Sequence, residues 1–148
     1  MGLIRNVGWL RVYARETVVA EKLQALVELG LANSRMKDYF DIYYLSEHFT
    51  FDGRLLGEAI TATFKRRGTA IPTGEPAGLS LGFAREPTKA TQWSAFVRRA
   101  GLKSEVPALA VVVDRIRAVL KKSWRAAQPQ ASELILNFMS PVPCIDFF

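Results

Sequence analysis

Apolar residues recur along this chain with a helical period, interrupted by glycine, proline and short polar runs. Val18, Val19, Leu23, Leu26, Val27 and Leu29 fall mostly on one face of a helix that Gly30 stops. Glu16 and Glu21 are expected early in that helix, where its dipole favours acids. Asn33 or Ser34 is placed to cap a second helix running to about His48. Its apolar set is Met36, Tyr39, Phe40, Tyr43 and Tyr44, widened by Ile42 and Leu45. Asp52 reads as the N-cap of a third helix through Leu55, Leu56, Ala59, Ile60 and Phe64, which closes on Lys65-Arg66-Arg67-Gly68. Thr69 to Glu86 reads as a loop. Pro87 and Thr88 open a fourth helix, with Trp93, Phe96 and Val97 as a sparse core face and Gly101 as its stop. Ser104 is expected to cap a fifth helix, with Pro107 in its first turn and Leu109, Val112, Val113, Ile116, Val119 and Leu120 in register up to Trp124. Only Trp9-Leu-Arg-Val-Tyr13 reads as a short extended segment. The expected fold class is therefore mainly α, with about five helices.

Composition narrows what such a fold could do. The 148 residues, 49% hydrophobic and 23% charged, suit one folded domain rather than a disordered chain. One cysteine, Cys144, excludes an internal disulfide, and one histidine, His48, excludes a His–His metal pair. No apolar stretch approaches the roughly 20 residues of a membrane span, and no signal peptide is visible, so a cytoplasmic location is expected. The net charge of +6 is unevenly placed. Residues 1–48 carry six basic and six acidic side chains, so the whole excess lies in residues 49–148. After Pro129 the chain turns apolar, and Leu134–Met139 must be buried or bound to stay soluble.

The candidate chemistry lies in the neutral part. Lys37 and Asp41 are four apart, and Asp38 and Asp41 three apart, so each pair shares a helix face. Two carboxylates beside Arg35, Lys37 and Lys22 suit a charged ligand, and phosphoryl transfer uses such cations to spread charge from phosphate oxygens. The same spacing also describes a surface ion pair worth a few tenths of a kcal/mol. Lys65-Arg66-Arg67, Arg98-Arg99 and Lys121-Lys122 read as helix-end cations before they read as phosphate contacts, and Trp93 and Trp124 as core anchors. His48 is placed to complete a helix end.

The strings ETVVAEKLQALVELGLANSRMKDYFDIYYL (residues 16–45) and FDGRLLGEAITATFKRRGTAIP (residues 51–72) resemble the C-terminal half of nucleotidyltransferase toxins of the AbiEii/AbiGii type. The likeness covers most of residues 13–122. It implies the helical C-terminal half of a polymerase-β-like nucleotidyltransferase, which moves a nucleotidyl group from an NTP with Mg²⁺. It implies that Lys22 contacts nucleotide phosphates. Arg35, Lys37, Asp38 and Asp41 match an Arg-x-Lys-Asp-x-x-Asp motif, in which Asp41 with Asp38 is the catalytic or site-organising carboxylate and Lys37 and Arg35 bind phosphate.

The family's N-terminal half carries an Asp-x-Asp pair for metal, and no Asp-x-Asp occurs in this sequence. The expected organisation is thus a leader over residues 1–12, the AbiEii-like helical region over 13–128, and an apolar tail over 129–148. The expected function is that of a truncated or split toxin of a toxin–antitoxin or phage-defence locus, inactive alone and holding no metal. Its expected partners are a cognate antitoxin or a separately encoded N-terminal half, and RNA or tRNA as acceptor. The alternatives are a non-catalytic protein-binding module and a basic RNA-binding helical domain.

Overall fold

No proline precedes Pro72, so nothing covalent breaks the first helix on its N-terminal side. In the computed structural model, which describes residues 2–102 and 105–127 with side-chain detail from Arg15 onward, helix α1 runs over Gly2–Leu29. Residues 9–13, expected to be extended, are its middle turns. Lengthening an existing helix costs far less than nucleating one, so a short β-favouring run is absorbed. Glu16 and Glu21 consequently lie in the helix body rather than its first turn, and Glu16 is buried.

A short 3₁₀ turn, Gly30–Ala32, leads to α2 (Met36–His48). Helix α3 (Gly53–Arg66) follows, and the Asp52 carboxylate accepts from the Arg54 and Leu55 amides, as the cap pattern requires. The stretch 69–86 is not all loop. It holds a 3₁₀ turn at Ala77–Leu79 and a one-turn helix, α4 (Leu81–Arg85), capped by Ser80, which place Leu79 and Phe83 in the core. Helix α5 (Pro87–Arg99) carries its proline at the first turn. Helix α6 (Leu109–Ala127) starts after Pro107 rather than around it, and the Pro107 carbonyl instead accepts from the Trp93 indole at 3.0 Å. Glycines at positive φ stand where the helices stop, Gly68 at 65° and Gly101 at 70°. Among the described residues there are six α-helices and no strand, one helix more than the sequence pattern supplied. Ser104, Cys144 and the segment 129–148 lie outside the described residues.

The core follows from the pattern with a few exchanges. Leu23 and Leu26 of α1, Tyr39 and Ile42 of α2, Leu56, Ile60 and Phe64 of α3, and Val112, Val113 and Ile116 of α6 are all buried. Helix α3 lies between α1 and α6. Val18, Leu29, Tyr44 and Leu55, counted with the apolar faces, are exposed at 37–47%. Each sits at the margin of its stripe, where a few tens of degrees of helix rotation decide the outcome. Trp93 is buried and anchors α5, while Trp124 is half-buried with its ring edge-on to Phe64. His48 closes α2 through Nδ1 and the Tyr44 carbonyl at 2.8 Å. None of the helices is long and apolar enough to cross a membrane, among the described residues.

Candidate functional site

The start of α2 is fixed from three sides. The Asn33 side-chain carbonyl accepts from the Arg35 amide at 2.9 Å, a local turn that sets the direction of the helix. The Asn33 backbone carbonyl accepts from the ammonium of Lys89 at 2.8 Å. Lys89 is only 5% exposed and lies over the Phe83 ring, so α5 spends a buried cation on holding this corner. One turn further, the Tyr39 hydroxyl donates to the Gly78 carbonyl at 2.6 Å. Burial raises the Tyr39 phenol above its ordinary value, the Asn33 side chain opposes that rise, and the Asp38 charge adds to it.

On this frame α1 and α2 bring together all five residues singled out by sequence. Lys22 lies between two carboxylates, with Nζ 3.1 Å from Asp38 Oδ1 and 2.8 Å from Asp41 Oδ2. Arg35 Nε reaches Asp38 Oδ2 at 3.1 Å in an ion-pair contact without hydrogen-bond alignment. Lys37 reaches Asp41 Oδ2 at 2.6 Å. Asp38 is buried, contrary to a purely solvated polar face, and its ion-pair partners there are Lys22 and Arg35. Burial pulls the Lys22 ammonium downward, but the hydrogen bonds and charges of Asp41 and Asp38 outweigh it and hold its pKa above the ordinary value.

A cleft of about 810 Å³ opens beside this cluster, within the size of small-molecule sites. One wall is Lys22, Arg35, Lys37 and Asp38. The other is the face of α5 carrying Gln92, Phe96 and Arg99. Four cationic side chains line it with Asp38, and counting Asp41, which pairs with Lys22 and Lys37, they leave a net positive charge that attracts anions. Phe96 is fixed by ring contacts to Phe40 and Trp93. Asp41 touches Lys22 but does not line the cleft, so Asp38 is the carboxylate nearest a bound ligand. The α5 wall carries no short motif. Gln92, Phe96 and Arg99 stand 70 to 77 positions from Lys22 and Arg99 reads only as a helix-end cation, so sequence spacing could not find it.

The donor chemistry suits phosphate rather than a metal ion. Asp38 and Asp41 are each committed to two cations, and no group of three or more His, Cys, Asp or Glu side chains fit to hold a metal occurs among the described residues. Lys22, Arg35, Lys37 and Arg99 by contrast offer charged donors to several phosphate oxygens. A smaller cleft of about 290 Å³ also borders Lys22 and is lined by α1 and by Arg67 just past α3.

A family model described as the nucleotidyl transferase AbiEii toxin, type IV TA system, matches residues 7–125. No curated protein and no solved structure matches the chain.

Proposed function

This chain belongs to the AbiEii family of nucleotidyl transferase toxins, and from that premise we propose that its larger cleft binds the triphosphate of an NTP for nucleotidyl transfer to RNA. The observation that carries this reading is the convergence of Lys22, Arg35, Lys37 and Arg99 on one cleft, with Asp38 as its only carboxylate. Lys22 and Arg35 bind phosphate oxygens and Lys37 adds charge at the rim. A bound polyphosphate competes with Asp38 and Asp41 for the same cations. Asp38, with Asp41 behind Lys22, holds the ammonium in place before the ligand arrives and accepts part of its charge.

The family chemistry uses Mg²⁺, and the carboxylates present here do not fit it, so no step is assigned to a metal on this chain. The sequence has no Asp-x-Asp pair. In our reading the metal carboxylates come from outside these 148 residues, the chain acts as the nucleotide-binding half of a truncated or split toxin, and it is inactive alone. An antitoxin encoded with it, in a phage-defence locus, completes the assignment.

Titration calorimetry with inorganic tripolyphosphate tests the cleft. Binding should weaken by about tenfold in Lys22→Met and in Arg35→Gln, each of which removes a charge-assisted contact. Unchanged binding in both variants would sink the reading. Incubation with labelled NTPs, Mg²⁺ and total tRNA should give no labelled product. Labelling that disappears in Lys22→Ala would show the chain to be a complete enzyme.

Leu29 and Leu31, at and just past the end of α1 and exposed at 41% and 60%, favour a second reading in which this end of the helix docks another polypeptide, either the antitoxin or the missing half. Co-purification with such a partner, lost on Leu31→Lys, supports it.

A further inference from the structure

Lys22, Arg35 and Asp38 line both clefts, the larger one facing α5 and the smaller one facing α3. The three side chains form a shared partition where the two clefts adjoin. A transfer reaction between two substrates needs that topology, because donor and acceptor must approach one point from different directions. The larger space is assigned to the nucleotide above, and the inference rests on that reading.

The smaller cleft has its own chemistry. Beyond the partition it is lined by Thr17 and Glu21 of α1 and by Arg67 just past α3. Glu21 is clamped by both Arg66 and Arg67, whose side chains remain 58% and 48% exposed. The lining thus sets Lys22, Arg35 and Arg67 against Glu21 and Asp38, and Arg66 adds a further guanidinium on Glu21. The excess is cationic and presented largely as guanidinium, the group that matches phosphate oxygens two at a time. The cleft's apolar lining is limited to Val18 and Ala25, too little to anchor a peptide side chain. Its volume, about 290 Å³, admits one terminal unit of a strand.

We propose that the smaller cleft is the acceptor subsite and takes the end of a phosphodiester strand, with Arg67 and Arg66 on its backbone phosphates and Lys22 and Asp38 at the border with the nucleotide. Glu21 is a specificity-determining residue there. It holds the two arginines until phosphate replaces it and lowers their attraction for weaker anions.

The test uses the full chain and two probes, inorganic tripolyphosphate for the larger cleft and a single-stranded RNA tetranucleotide for the smaller. Both should bind at once. Arg67→Gln should weaken the tetranucleotide about tenfold and leave tripolyphosphate unchanged. Arg67→Lys should restore part of the loss. Glu21→Gln should tighten the tetranucleotide several-fold by freeing two arginines. Arg99→Gln should weaken tripolyphosphate alone. Competition between the two probes, equal loss of both in Arg67→Gln, or an acidic tetrapeptide bound with the same Arg67 dependence would overturn the proposal. Arg67-dependent RNA binding without any tripolyphosphate binding would support the acceptor subsite and overturn the nucleotide reading of the larger cleft.

Discussion

Lys22 shows how one residue changes meaning when a fold surrounds it. Read along the chain it is a lysine in a helix; in three dimensions it joins Asp38 and Asp41 and borders two clefts. Its raised pKa has a measurable sign. Stabilisation by the ion pairs is complete below the ordinary lysine value of 10.5 and is lost as pH rises through the higher folded value. Tyr39 acts in the same direction. Its folded state favours the neutral phenol, so stability falls once pH exceeds the ordinary tyrosine value of 10.0. The urea midpoint should therefore hold steady from these two groups between pH 8 and 9.5 and fall above pH 10. A shallower fall is expected in Tyr39→Phe, and an unchanged slope would remove Tyr39 from the account. Gly78 makes a sharper steric prediction. A Cβ there would meet the Leu26 carbonyl oxygen at 2.9 Å and the Tyr39 hydroxyl at 3.2 Å. Gly78→Ala should cost about 1–3 kcal/mol in denaturant unfolding, because backbone on one side cannot give way.

Helix ends were legible wherever a single local bond sets them. Asp52 caps α3, proline opens α5, and Gly68 and Gly101 stand where helices stop, all readable from the residue type. The elements that sequence missed are short or depend on distant partners. Ala77–Leu79 and Leu81–Arg85 have too few residues for a period, and they are helical because Leu79 and Phe83 are buried against the rest of the molecule. The contact between α3 and α6 is decided the same way. A Cβ on Gly57 would lie 3.0 Å from the Ala126 Cβ and 3.0 Å from the Ser123 carbonyl oxygen. Ala favours a helix over Gly by about 1 kcal/mol, but here it would push the two axes apart. Gly57→Ala should therefore lower the thermal midpoint despite its better propensity. A higher midpoint would show that α6 yields easily.

At the scale of the whole molecule, cations of the basic remainder are brought beside the candidate site of the neutral first third. The Arg67 end of α3 and the Arg99 end of α5 flank the Lys22 cluster, so charge excess and candidate chemistry are neighbours although they are separate along the chain. Anion binding should accordingly stabilise the fold as a unit. Tripolyphosphate at ten times its dissociation constant should add about 1.4 kcal/mol and raise the thermal midpoint by a few degrees. No shift in the wild-type chain would remove the larger cleft from consideration. The sequence by itself determined the helical class, the Asp52 cap and the glycine stops, most of the core and the four polar residues of the motif, because these depend on period, residue type and spacing within one or two turns. The Asn33 or Ser34 cap expected for α2 is not formed, Arg35 standing there without a side-chain cap bond. Only the tertiary structure decided that Asp38 is buried, that Asp41 stands behind Lys22, that Lys89 and Tyr39 hold the start of α2, and that α3 and α5 wall two clefts around one lysine. Those outcomes depend on helix rotation and on contacts between residues dozens of positions apart, which no local pattern encodes.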